Sequence, residues 1–461
     1  MERPGSKRLR KDLGAWDSLM ANRRARPGKK GVATRARILD SAALTFRNKG
    51  YAGTRLSDVA AAANTQAGSL YYHFPSREEL VEEVLRVGQE RTSGFVRRRV
   101  AALPDDSSDL DRLREAISAH LDAVLEIGDY TAATIRIIGQ VPEEIRKRRI
   151  HEQREYGEFW RALVDNTQLS GQFRTDLDAS ALRMLLLGAI NSVPDWFRPR
   201  ADGMSTAELK AQFDSLFLDG LAVHRQATRS IDDDLAAIAT AEQEVLRKSQ
   251  DAGTKGGGAQ RILDAAANVF REKGYAGTRL ADVAAASGIQ TGSMYYYFKS
   301  REHLVLEMVL VAWKRTDDLA RLSVDALPTD ATPLDRLSTA LTAHLLSVLR
   351  NTMYTSALVR ILGQIPESVR VQTVTHQRSY LDYLRGLIES AIDSDELRAD
   401  INPSVTTMLI TGALNWAVEW YRPDGALSPE DLARQVATLV FDGVTKIPAQ
   451  EGALPSSPRS A

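Results

Sequence analysis

Cysteine is absent from the 461 residues of this chain, which excludes disulfides, thiolate metal sites and a cysteine nucleophile, and suits a reducing compartment. Long apolar runs are missing too: the most apolar stretch, Met184 to Ile190, is far short of the ~20 residues that span a bilayer. The N-terminal MERPGSKRLRKDLGAW contains no apolar segment of the kind found in secretion signals. A cytoplasmic protein with no membrane partner is expected. There is no net charge, since 60 Lys and Arg balance 60 Asp and Glu, so only the distribution of charge bears on nucleic-acid binding. No Gly-x-Ser-x-Gly elbow, His-Glu-x-x-His pair or phosphate-binding loop occurs. The expectation is a protein that is not an enzyme and has neither metal nor cofactor.

What the chain does have is a repetition. RILDSAALTFRNKGYAGTRLSDVAAAANTQAGSLYYHFPSREEL, from Arg37 to Leu80, recurs from Arg261 to Leu304 as RILDAAANVFREKGYAGTRLADVAAASGIQTGSMYYYFKSREHL. The spacing of 224 residues holds through Ala102-Leu103-Pro104 and Ala326-Leu327-Pro328, Gly139-Gln140 and Gly363-Gln364, and Trp196 and Trp420. A period this long exceeds the roughly 20–50 residues of a solenoid unit and describes a duplicated domain pair. Basic charge gathers around the repeated segment and at the N-terminus, where residues 1–33 carry ten Lys or Arg against Glu2, Asp12 and Asp17.

The apolar spacing is helical almost throughout, and no strand is expected. Ile38, Ala42 and Phe46 form a stripe that Gly50 stops. A second helix is expected from a Thr54 cap to Ala63, a short third from Gln66 to Phe74, and a fourth from the capping box Ser76-Arg77-Glu78-Glu79, weakened at His303 in the second copy. Body helices are expected at about 110–127, 130–140, 143–166, 179–197 and 206–224. Pro194 should interrupt the fourth of these, where its counterpart Val418 does not. The expected organisation is a basic disordered arm (1–33), a helix-turn-helix head (34–100), a helical body (101–224), a connector with a helix and a glycine-rich hinge (225–258), a second head (259–324), a second body (325–447) and a disordered tail (448–461).

Within each head, the pattern from Leu56 to Phe74 fits two steeply crossing helices. Ala60 is small enough for the crossing, Asn64 tolerates a left-handed turn, and Leu70 and Phe74 face inward. Gln66, Ala67, Ser69 and Tyr72 are left pointing outward, as are Gln290, Thr291, Ser293 and Tyr296 in the second copy. Gln pairs bidentately with adenine, Ala or a Thr methyl touches the thymine methyl, and hydroxyls bond phosphates. Double-stranded DNA is therefore the expected partner.

Both copies resemble the N-terminal DNA-binding domain of the TetR family of bacterial regulators. The runs Thr54 to Leu80 and Thr278 to Leu304 carry the resemblance, including Gly-Ser-Leu-Tyr-Tyr-His-Phe and Gly-Ser-Met-Tyr-Tyr-Tyr-Phe, each followed by a Ser-Arg-Glu. The resemblance implies that Thr54, Tyr71, His73 and Arg77 clasp phosphates, as do Thr278, Tyr295, Tyr297 and Arg301. It implies an all-α fold of two tandem units, each a DNA-binding head on a ligand-binding and dimerisation body, joined as a covalent pseudo-dimer. The function implied is a sequence-specific, ligand-responsive repressor reading an imperfect inverted repeat; the alternative is a ligand-binding or scaffold protein of this fold that has lost DNA binding in one or both heads. Trp196-Phe197-Arg198-Pro199 and Trp420-Tyr421-Arg422-Pro423 resemble the subgroup that senses acyl-CoA thioesters, which brings Trp196 and Trp420 into the candidate effector set. Arg136 and Arg360 stand in apolar helical surroundings, where a charge needs either an internal carboxylate or an anionic ligand. His120 and His344, Gln140 and Gln364, and Asn191 and Asn415 complete that set.

Overall fold

A computed structural model describes residues 29–198, 203–219, 231–251, 257–361 and 363–442. Most of the expected arm, the glycine-rich hinge up to residue 256 and the tail lie outside the described residues. Regular structure among the described residues is helical throughout.

In the first head, α1 (Lys29–Gly53) begins within the segment assigned to the arm and buries Ile38, Leu39, Ala42, Ala43 and Phe46. Its chain turns at Gly50, whose φ of +68° favours glycine. The Thr54 hydroxyl donates back to the Gly50 carbonyl at 2.7 Å, so it does not cap the next helix as expected. That cap is Arg55, whose N–H is accepted by Asp58 at 3.2 Å, and α2 (Leu56–Ala62) follows. Asn64, at φ 46°, makes the left-handed turn into α3 (Ala67–His73), the recognition helix. In α4 (Arg77–Ala101) Ser76 accepts the Glu79 N–H at 3.1 Å.

The first body comprises α5 (Asp109–Glu126), α6 (Gly128–Ile137), α7 (Glu143–Leu169), α8 (Ala179–Trp196) and α9 (Thr206–Asp214), which runs on as a π-helical turn, Ser215–Asp219. Tyr130, Ala133 and Ile137 of α6 are buried in the apolar core of the head. This helix therefore joins head to body as one packed unit, and motion of one is felt in the other.

The connector forms α10 (Ile231–Asp251). It packs on the second half, with Ile238 and Ala241 entering a core with Leu319, Ala343 and Leu384. Asp234 is fully buried and accepts hydrogen bonds from Ser338 and Thr339 at 2.7 and 2.6 Å. At the equivalent places in the first body stand Arg114 and Glu115, which offer no such pair of hydroxyls.

The second half repeats the plan in α11 (Gly257–Gly277), α12 (Leu280–Ala286), α13 (Thr291–Tyr297), α14 (Arg301–Asp325), α15 (Pro333–Arg350), α16 (Thr352–Ile361), α17 (Glu367–Asp393), α18 (Pro403–Trp420) and α19 (Pro429–Asp442). Here Ser300 caps α14 as Ser76 caps α4, accepting the His303 N–H at 3.1 Å, and His303 Nδ1 accepts from the Lys299 N–H. The substitution of Glu by His has not removed the cap.

The bodies pack through α8 and α18, and one apolar core runs across both. At the crossing, Gly188 lies under Trp416, where an added Cβ would stand 2.5 Å from the Trp416 Cβ, and Gly412 lies under Ser192. A pseudo-twofold axis relates the halves. Gln212 donates to the Asp400 carbonyl (3.1 Å) and accepts from the Asn402 N–H (2.6 Å), and Gln435 does the same with Asp176 (3.2 Å) and Asp178 (2.7 Å). Pro194 does not make α8 shorter than α18. Both helices end at the equivalent tryptophan, because a proline in the last turn removes a single hydrogen bond.

Candidate nucleic-acid interface and candidate effector cavity

Each recognition helix fully buries one residue, Leu70 or Met294, against its head and leaves the others exposed or half-buried. Gln66, Ala67, Tyr71 and Tyr72 are exposed and Ser69 partly so; Gln290, Thr291, Ser293, Tyr295 and Tyr296 are exposed in the second head. Tyr72 and Tyr296 are each 85% exposed. His73 lies edge-on to Tyr72, and Tyr297 puts its hydroxyl close to Gly258 at the start of α11.

Four of the residues assigned to phosphate also make contacts within their own heads. Thr54 and Thr278 are buried, with their hydroxyl protons given to the carbonyls of Gly50 and Gly274, because those carbonyls would otherwise be left open at the turn. Arg77 and Arg301 stack 4.2 Å from the ring centroids of Tyr51 and Tyr275 and donate to the carbonyls of the same tyrosines. Their placement fixes the start of the fourth helix. Burial, together with a hydrogen bond to Glu78, pushes the Tyr51 hydroxyl up to about 12.

The two heads touch. A Cβ on Gly53 would stand 2.6 Å from that of Ala276, and one on Gly277 would stand 3.0 Å from that of Ala52. The side chains of Gln140 and Gln364, placed by sequence in the effector set, are found here. The Gln140 oxygen accepts the Tyr51 N–H at 3.1 Å and its nitrogen donates to the Arg136 carbonyl at 2.8 Å; Gln364 does the same with Tyr275 and Arg360. Each bridges a body to a head.

A cavity of about 530 Å³ opens in the second body, within the roughly 300–1,000 Å³ typical of small-molecule sites. Its floor is mainly apolar: Val309, Ala312 and Trp313 from α14, Val348 from α15, Leu381 from α17 and Met408 from α18. His344 and Asn415 add a fixed polar point. Asn415 Oδ1 carries no proton, so His344 Nε2 donates to it (3.3 Å) and Nδ1 accepts from the Tyr380 hydroxyl (2.8 Å). Burial pulls the His344 imidazole down to about 4 against the opposing Asn415 bond, so the ring is neutral at physiological pH.

The first half supplies the mouth through Arg47, Arg136, Asn191, Asp195, Trp196 and Arg198, with Arg370 from the second. Arg136 is 5% exposed, donates to Asp195 (3.2 Å) and to the Arg47 carbonyl (3.3 Å), and packs on Gly363. Burial lowers its proton affinity first; Asp195 opposes, and the charges of Arg47 and Arg370 lower it further. A guanidinium stays charged nonetheless. The result is a cationic rim whose arginines are largely paired, Arg47 with Asp129 at 2.6 Å, Arg136 with Asp195 and Arg370 with Glu367 at 3.4 Å.

Of the sequence-derived effector set, the cavity gathers Arg136, Asn191, Trp196, His344 and Asn415. The other five lie elsewhere. His120 is buried beside Tyr156 and Trp160, and Arg360 pairs with Glu419 at 3.1 Å. Trp420 packs on the shared core, and Gln140 and Gln364 hold the heads. Sequence reasoning missed Arg47 and Asn48, which reach the mouth from α1, because their approach depends on how head and body pack. No group of acidic, His or Cys side chains among the described residues is arranged to hold a metal.

Residues 38–84 and 262–308 match the family described as bacterial regulatory proteins, tetR family, and residues 106–221 and 330–444 match the tetracyclin repressor-like C-terminal domain. The chain belongs to the TetR family. It is a helix-turn-helix transcriptional regulator of the ligand-responsive repressor type, in two fused copies. The HTH-type transcriptional repressor KstR2 of Rhodococcus jostii is 32% identical over 200 residues, which cover 42% of this chain and 93% of that protein. One half of the chain thus corresponds to a whole relative. The fatty acid metabolism regulator protein of Bacillus subtilis is 24% identical over 186 residues, covering 40% and 94%. Among solved structures, the TetR family regulator PfmR of Thermus thermophilus is 25% identical, covers 40% of this chain and 100% of its own, and has a TM-score of 0.37. TetR-family regulators are as a class not enzymes. No helix among the described residues is long and apolar enough to cross a membrane.

Proposed function

We propose that one chain occupies one operator in the bacterial cytoplasm, reading an imperfect inverted repeat with its two heads, and that an acyl-CoA thioester in the second body weakens this binding. The observation that carries the effector class is the cavity itself. An apolar floor accepts a hydrocarbon chain, and a rim of Arg47, Arg136, Arg198 and Arg370 accepts phosphates. The name of the Bacillus subtilis relative, a regulator of fatty acid metabolism, agrees with this class.

The operator reading rests on the recognition helices. Gln66 and Gln290, Ser69 and Ser293, and Tyr72 and Tyr296 agree between heads, whereas Ala67 and Thr291 do not. The half-sites should share most bases and differ opposite that position, with centres about 34–36 Å apart or a multiple of it. An effector acts through its differential affinity for the bound and released arrangements, and coupling of about 1–3 kcal/mol changes operator affinity roughly 5–150-fold.

The test is selection of DNA from a random pool at fixed salt, followed by light scattering of the complex at nanomolar protein with and without octanoyl-CoA. One chain per duplex, two related half-sites and release by the thioester are expected. Complexes of two chains only, or a single half-site, overturn the operator reading, and indifference to acyl-CoAs of every length overturns the effector class.

A further inference from the structure

We propose that the chain binds one effector, in its second body, and that the matching site of the first body is filled by the protein's own side chains. The inference rests on reading the cavity as the effector site. Duplication makes the comparison direct, since each wall residue of the second half has a counterpart 224 positions earlier. Thr373, on the α17 wall, corresponds to Arg149. Arg149 is buried, and its guanidinium reaches along α4 to within 3.9 Å of Glu82. Thr411, on the α18 wall, corresponds to the bulkier, apolar Leu187.

The third change involves two residues. Leu381 corresponds to Gly157, whose α-carbon faces open space, and beside it Arg183, a buried residue of α8, donates to the Gly157 carbonyl at 3.4 Å. Its counterpart in α18 is the short Thr407. Gly88, which replaces Ala312, opens no space, because the Tyr130 Cβ already lies 3.0 Å from where its own Cβ would be. Two long, buried cationic side chains and a leucine thus stand on α7 and α8 where the second body has three threonines.

A single ligand is nevertheless placed to address both heads. Arg47 and Asn48 of α1, continuous with the first head, border the cavity from one side, and Val309 to Thr316 of α14, continuous with the second, border it from the other. The first body acts as the fixed partner and the second as the sensing one.

The test titrates the full chain with 1,8-anilinonaphthalene sulfonate, an apolar anionic dye that probes the cavity whatever the natural effector, and reads the stoichiometry. One dye per chain is expected. Thr373→Arg, which gives the second body the residue of the first, should abolish binding while helicity and operator binding persist. Thr411→Leu, a milder change, should weaken it about tenfold. The double variant Arg149→Thr, Arg183→Thr should bind a second dye. Two equivalent sites in the unaltered chain, no dye site at all, or binding indifferent to both Thr373→Arg and Thr411→Leu overturns the inference. A single dye site that acyl-CoAs do not compete for upholds it and removes the acyl-CoA class instead.

Discussion

The side chain of Gln140, from the first half, lies against Gly274, in the second head: a Cβ on Gly274 would stand 2.5 Å from the Gln140 amide nitrogen. The same side chain accepts the Tyr51 N–H of its own head, so a residue at the end of one body touches both heads. Gln364 and Gly50 repeat the arrangement across the pseudo-twofold axis.

Gly274→Ala and Gly50→Ala are expected to destabilise the protein by at least about 1–2 kcal/mol, from the left-handed backbone alone, and to push the heads apart. Gly386→Ala, in α17 with open space around its Cβ, should instead be neutral or stabilising by up to about 1 kcal/mol. Urea unfolding of the three variants, with the head separation read by a distance probe, checks both statements.

Arg136 and Arg360 occupy equivalent positions but only Arg136 borders the cavity. Arg136→Ala should weaken acyl-CoA binding by tenfold or more, the loss of a charge-assisted contact being worth about 1.5–3 kcal/mol. Arg360→Ala should leave ligand affinity unchanged and lower stability by on the order of 3 kcal/mol, because Glu419 would lose its cation in a largely buried place. Calorimetric titration and denaturation separate the two effects.

Substitutions on the recognition helices should affect DNA binding without affecting folding. Tyr72→Ala and Tyr296→Ala should leave stability within about 0.5 kcal/mol while operator affinity falls. Gln290→Ala should relax base preference in one half-site by about 1–3 kcal/mol. Thr54→Val, by contrast, removes a buried hydrogen bond and should cost about 1 kcal/mol of stability. Binding to randomised half-sites, paired with melting curves, distinguishes the two kinds of change.

Stability should fall on mild acidification. Burial holds His120 down to about 3, and burial, opposed by the Asn415 bond, holds His344 down to about 4, against an unfolded value of 6.5. The unfolded chain therefore takes up protons that the folded one refuses. Their contribution is whole above the unfolded value and is lost as pH falls from there towards the folded values, by about 2 kcal/mol each at pH 5. Denaturation midpoints at about pH 7.5, 6 and 5 should decline, and the double variant His120→Gln, His344→Gln should show a shallower slope.

The repeat and the helical spacing revealed the architecture in advance, because Leu70, Phe74, Met294 and Phe298 form the core of a motif whose sterics are local. The outward set from Gln66 to Tyr72 was legible for the same reason. The cavity was only half legible. Arg136 was conspicuous as a charge among isoleucines, yet nothing in the periodicity distinguishes it from Arg360. The difference arises from Thr373 against Arg149 and Thr411 against Leu187, which matter only once α7 and α17 are packed. Gln140 and Gln364 read as polar residues near a pocket; their true partners, the Tyr51 and Tyr275 backbones, lie 89 positions away. Thr54 was misread as a helix cap because its acceptor, the Gly50 carbonyl, is brought to it only where the chain turns at positive φ.

Trp416 over Gly188 and Ser192 over Gly412 form a contact that no pair of identical subunits can make. Two copies of the first body would set a small side chain over glycine at both crossings, leaving them loose, and two copies of the second would force an indole into both. A first body with a second has one of each. If the connector were cut, the separated halves would pair unlike with unlike, so the fusion has turned a self-recognising surface into a matched and directional one.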